Sequence, residues 1–142
     1  KDKLKYSLVV GATLLSIFGS NFWVYFMDFA GECKYGNDIP TRYSTYMGYY
    51  LDTIGRSQDI YLLSDSEIFY GQNKTIDFLS GSIPVTNVTD SVDTLSYRSR
   101  TVIMAVPGRI EELRDWADTH PGGKLVMQED CGMVLLAAYE IP

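Results

Sequence analysis

The sequence predicts an α/β protein: an N-terminal apolar helix of membrane type, then a small, mostly parallel sheet with flanking helices and a C-terminal β-hairpin. Three observations predict it. The run from Tyr6 to Met27 carries no charged side chain and is long enough to cross about 30 Å of hydrocarbon as a helix. Beyond residue 40, short apolar runs alternate with stretches whose apolar residues recur every three or four positions, as expected of strand–helix–strand units. The last two apolar runs are separated only by Glu129-Asp130-Cys131-Gly132, too short a link for a parallel crossover.

Lys1, Lys3 and Lys5 crowd the upstream end of the apolar run, and Phe22, Trp23, Tyr25 and Phe26 crowd the downstream end. Amphipathic rings settle at a membrane–water boundary, and lysines mark the cytoplasmic side, so the residues after Asp28 are expected on the extracytoplasmic side. Two readings compete. A secretory signal peptide has an apolar region of only about 7–15 residues. A buried helix of a soluble domain is favoured by Ser7, Gly11, Thr13, Ser16, Gly19 and Ser20, which make the run less oily. Ser7 and Gly11, and Ala12, Ser16 and Ser20, recur every four positions and let another helix approach closely. Without detergent, that neighbour is expected to be Tyr6–Met27 of a second copy.

The chain divides into the apolar helix (1–30), a linker rich in Gly, Asn, Asp and Pro (31–40) and one external domain (41–142). A net charge of −6 argues against a nucleic-acid surface. Cys33 and Cys131 both lie beyond the proposed membrane, where oxidation is permitted, and are either a disulfide or two buried thiols. One histidine, His120, and two isolated cysteines give no zinc-ligand spacing, so no metal is expected.

In the domain, Thr41 is a helix cap, and Tyr43, Tyr46, Met47, Tyr50, Leu51 and Ile54 form one face of a helix that Gly55 ends. That tyrosine-rich face invites stacking on sugar rings, but core packing is the commoner meaning of such a stripe. Ile60–Leu63 reads as a strand buried on both faces, and Ser64-Asp65-Ser66-Glu67 as the cap of a short helix through Tyr70. Lys74–Leu79 reads as a helix closed by Gly81, Ile83-Pro84-Val85 as an edge strand and Asp90–Leu95 as one helical turn. Arg100–Val106 is the most strand-like run. Gly108 opens an amphipathic helix carrying Ile110, Leu113, Trp116 and Ala117, which ends at His120-Pro121-Gly122-Gly123. Lys124–Gln128 and Met133–Ile141 are the hairpin strands. The ensemble is Rossmann-like, and ligands of such sheets gather at the carboxyl ends of strands. Ser64, Asp65 and Glu67 are therefore the candidate ligand site, with solvated capping carboxylates as the competing reading.

The strand–helix turn after Ile60–Leu63 has no glycine and carries two carboxylates where a pyrophosphate would sit, so no dinucleotide cofactor is expected. A phosphate-binding lysine loop, a G-x-S-x-G elbow and a Cys–His pair are absent from the sequence, and no catalytic set is predicted. Asn73-Lys74-Thr75 and Asn87-Val88-Thr89 are sequons in the external part, which makes Asn73 and Asn87 candidates for N-glycosylation.

The aromatic exit Asn21-Phe22-Trp23-Val24-Tyr25-Phe26-Met27-Asp28-Phe29-Ala30, the helix ending Tyr49-Tyr50-Leu51 and the strand Ile60-Tyr61-Leu62 together resemble the end of C-type membrane glycosyltransferases, the protein O-mannosyltransferase-like and aminoarabinose-transferase-like enzymes. The resemblance implies that this chain is the last membrane helix and a non-catalytic external domain. The whole protein would transfer a sugar from a polyprenyl- or dolichyl-phosphate carrier. Its partners would be the membrane, its own upstream membrane region, and the lipid-linked sugar or acceptor. The family's catalytic acids sit in an upstream loop outside this sequence, so none is carried over here. The other function class that fits is a membrane-anchored binding or interaction module with no parent enzyme.

Overall fold

A computed structural model describes residues 2–29 and 39–142, which belong to two separate units, Lys1–Asn37 and Asp38–Pro142. In the first unit, helix α1 (Asp2–Trp23) continues as a π-helix from Val24 to Phe29. The stretch Lys5–Asp28 is long and apolar enough to cross a membrane, and none of it is buried by the chain itself. Phe18, Phe22 and Phe26, four residues apart on one face, pack ring against ring at 6.3 and 4.7 Å.

The second unit contains α2 (Ile39–Ile54), β1 (Asp59–Leu63), α3 (Lys74–Ser80), β2 (Thr86–Val88), β3 (Thr101–Ala105), α4 (Ile110–Thr119), β4 (Lys124–Asp130) and β5 (Met133–Ile141). The strands form one sheet in the order β2-β1-β3-β5-β4. It is parallel across β2, β1 and β3 and antiparallel across β3, β5 and β4, so the expected α/β fold and C-terminal hairpin are both present.

Because strand side chains alternate between faces, two cores result. Ile60, Leu62, Val102, Met104, Leu136 and Ala138 meet Tyr43, Met47 and Leu51 of α2 and Ile76 of α3 on one face. Leu63, Ile103, Ala105, Ala137 and Tyr139 meet Ile110, Leu113 and Trp116 of α4 on the other. The amphipathic pattern of α4 is thus satisfied as its sequence required. On the first face α2 and α3 approach so closely at Gly48 that a Cβ there would lie 2.6 Å from the Leu79 Cβ.

Three boundaries differ from the sequence reading. Helix α2 starts at Ile39, before Thr41, and absorbs the last two linker positions; residues 31–38 lie outside the described residues. Residues 64–70 form bends and turns instead of a short helix, because the Asp65 carboxylate takes up the backbone donors of the turn. The edge strand is Thr86–Val88, not Ile83–Val85. Pro84 has no N–H to give a ladder, Ile83 is 3% exposed in the core, and its carbonyl accepts from the Tyr70 hydroxyl.

Candidate functional site

Strands β1 and β3 are parallel neighbours whose onward connections part: β1 leads through α3 to β2, and β3 leads through α4 to the hairpin. Their carboxyl ends therefore flank the crevice where an open α/β sheet ordinarily holds its ligand. Ser64 and Asp65 stand there. The Asp65 Oδ1 accepts from the backbone N–H groups of Glu67 and Ile68, both at 2.8 Å, while the Glu67 side chain is exposed. Gly108, from the β3–α4 turn, lies against Asp65, since a Cβ at that position would be 3.5 Å from Oδ2. The hydroxyls of Ser64 and Tyr43 are buried without a hydrogen-bond partner. Burial, followed by the Asp65 charge, pushes the Tyr43 phenol far above its ordinary value, so it stays neutral.

What fills the crevice is Arg109, a residue the sequence reading passed over. Its Nη1 donates to the Ser64 and Val88 carbonyls at 3.1 and 2.5 Å, and its Nη2 to the Asp90 carbonyl and Glu112 Oε1 at 2.6 and 2.8 Å. Its Nε donates to Glu112 Oε2 at 2.8 Å. A guanidinium has five N–H donors, and these five bonds engage them all. The side chain is 13% exposed, and it ties β1, β2 and α4 together. Glu112 also accepts from the Val92 N–H at 2.8 Å, and the hydrogen bonds from Arg109 hold its carboxyl below the usual carboxylate range. The sequence did carry a signal, Arg109-x-x-Glu112 straight after Pro107-Gly108, which places an ion pair on the first turn of α4. With its donors saturated, Arg109 has none left for an anionic ligand.

Open space lies elsewhere. A groove of about 310 Å³ runs between α2 and the hairpin, lined by Tyr46, Tyr49, Tyr50, Thr53, Val126, Gln128, Leu136 and Ala138. Val126 pairs with Ala138 and Gln128 with Leu136, which puts these four on the sheet face that α2 crosses. The tyrosine stripe divides its labour: Tyr43 is fully buried, Tyr46 and Tyr50 are half-buried, and Tyr49 is 59% exposed. The Tyr50 hydroxyl donates to Glu140 Oε1 at 2.7 Å, and burial together with that carboxylate drives its pKa far upward. Arg42 donates through Nε and Nη2 to Asp130 Oδ2 at 3.0 and 2.5 Å. Desolvation and the Asp130 carboxylate also raise the Tyr46 phenol.

Both sequon asparagines are hydrogen-bonded within the fold. Asn73 caps α3 by accepting from the Thr75 N–H at 3.0 Å and donates Nδ2 to the Ser44 hydroxyl. Asn87 holds the Tyr70 backbone at both ends, accepting from its N–H at 2.8 Å and donating to its carbonyl at 3.1 Å. Cys131 sits in the β4–β5 turn at φ 55°, whereas Cys33 lies outside the described residues. Among the described residues no group of three or more His, Cys, Asp or Glu is placed to hold a metal. No protein-family model matches the chain, and neither a curated protein nor a solved structure matches it.

Proposed function

We propose that this chain is the extracytoplasmic, non-catalytic end of a membrane glycosyltransferase, where its domain positions acceptor or stabilises the membrane core. The observation that carries the reading is the 24-residue apolar stretch Lys5–Asp28, wholly unburied by its own chain, joined in sequence to an α/β domain. In its crevice Arg109 and Glu112 are spent on each other and on backbone groups, and Asp65 on the backbone of its own turn. The lysines before Tyr6 and the aromatic exit support the sidedness. In this reading Cys33 and Cys131 form a disulfide on the oxidising side, closing a loop of about 100 residues and stabilising the domain by up to about 4–5 kcal/mol. Intact mass after thiol alkylation without reductant tests that bond: no alkylation is expected, and two alkylated thiols refute it.

The parent assignment is tested by the coding sequence upstream of Lys1. Eight or more apolar spans, with an acidic residue in the first external loop, are expected. A start codon close to Lys1 removes the parent enzyme and leaves an anchored binding module.

A further inference from the structure

We propose that the groove between α2 and the hairpin binds a neutral pyranose ring. Three features select that class. The walls are aromatic and the floor, Val126, Leu136 and Ala138, is aliphatic, which suits the apolar C–H face of a sugar. At its edge the Tyr49 phenol and the Gln128 amide offer both donor and acceptor capacity, as a polyol requires, while the Thr53 hydroxyl, which donates to the Tyr49 carbonyl at 2.9 Å, and the Tyr46 phenol, drawn to the Asp130 carboxylate, add acceptor oxygens. The nearby charges are already paired, Arg42 with Asp130 and Glu140 with the Tyr50 hydroxyl, so nothing there recruits an ionic ligand. The volume, about 310 Å³, lies at the small end of ligand sites and admits a sugar unit rather than a long chain. Tyr49 carries the most exposed ring of the groove, and with no packing role to explain it, it is the stacking platform.

The chemistry of the groove stands by itself, but its biological role, holding the sugar of an acceptor or of a lipid-linked donor, rests on the glycosyltransferase reading. The full chain in lipid nanodiscs, free of sugar-headed detergents, is titrated with methyl α-D-mannopyranoside and methyl β-D-glucopyranoside and followed by saturation-transfer NMR and by the tyrosine ring resonances. Binding of at least one glycoside in the millimolar range is expected, perturbing Tyr46, Tyr49 and Tyr50, and Tyr49→Ala and Gln128→Ala should each weaken it roughly fivefold or more. Asp118→Ala, exposed on α4 over the opposite sheet face, leaves it unchanged. Competition by dolichyl-phosphate mannose in the nanodisc assigns the ring to the donor, and lack of competition assigns it to the acceptor. No transfer at about 20 mM glycoside, or transfer indifferent to both variants, overturns the proposal. So does binding of an unglycosylated Ser/Thr-rich peptide without any glycoside signal. None of these outcomes depends on what is encoded upstream of Lys1, so the two readings fail separately.

Discussion

Between Tyr6 and Met27 the large apolar side chains face outward, from 47% exposed at Phe22 to 73% at Tyr6 and Leu15, whereas the aliphatic residues and Met104 of β1 and β3 are 0–3% exposed. One chain thus follows two opposite rules. Burial of apolar surface governs Asp38–Pro142, as it must in water, and its inversion over α1 is the arrangement that suits a hydrocarbon solvent. Length and hydropathy alone do not separate a membrane helix from a core helix, and an outward apolar surface of this size needs covering, by lipid or by another helix. The same contrast applies to glycines: Gly48 is wedged against Leu79, while Gly11 and Gly19 have nothing within 4 Å of a would-be Cβ.

The contrast is broken most severely by a buried charge. Leu62→Asp places an unpaired carboxylate at a fully buried strand position, and a loss above about 4 kcal/mol in urea unfolding of the domain is expected. Leu15→Asp should leave that transition unmoved and instead weaken membrane integration by roughly 2.5–3.5 kcal/mol in an insertion assay. Next comes Arg109→Met, which strands the Ser64 carbonyl, leaves Val88 with only the Ser64 N–H and leaves the Glu112 carboxylate without its cation; a loss of about 2–4 kcal/mol is expected by the same denaturation. Gly48→Ala should follow at about 1–3 kcal/mol, the clash with Leu79 outweighing the gain in helix propensity. Gly19→Ala should cost nothing measurable in folding.

The smallest effect is acid-dependent. The folded Glu112 carboxyl lies below its ordinary value of 4.5. Its contribution is therefore fully present above about pH 4.5 and is lost as pH falls through the lowered folded value. In Glu112→Gln the decline of stability between about pH 5 and pH 3 should be shallower, by under about 1 kcal/mol because the carboxylate is partly solvated. A decline identical to that of the unmodified chain refutes the role given to the Arg109–Glu112 pair.

Most of the architecture was legible because it follows from periodicity. The β-branched, apolar run within Arg100–Val106 marks a strand, and Thr101–Ala105 is buried throughout, while the spacing of Ile110, Leu113, Trp116 and Ala117 specifies one helical face, and burial followed that face. The misplacements came from groups that satisfy the backbone locally, Asp65 in its turn and Pro84 before β2, where side-chain hydrogen bonding and a missing donor decide and no periodicity exists. The site was less legible for a related reason. Fold class pointed to Ser64 and Asp65, but whether a crevice is open depends on what a third element brings to it, here Arg109 from the turn before α4. The groove needed Val126 and Leu136 beside Tyr46 and Tyr50, an encounter of segments nearly 90 residues apart that no local spacing announces.

The most direct measurement of the central claim, an anchored domain outside the cytoplasm, is protease accessibility. Intact cells expressing the full-length protein, tagged after Pro142, are treated with an external protease and then compared with lysed cells. The account predicts loss of the tagged domain from intact cells, with a membrane-embedded fragment retaining Tyr6–Met27. A domain that stays protected until the cells are opened, or that appears in the soluble fraction with α1 attached, would contradict it.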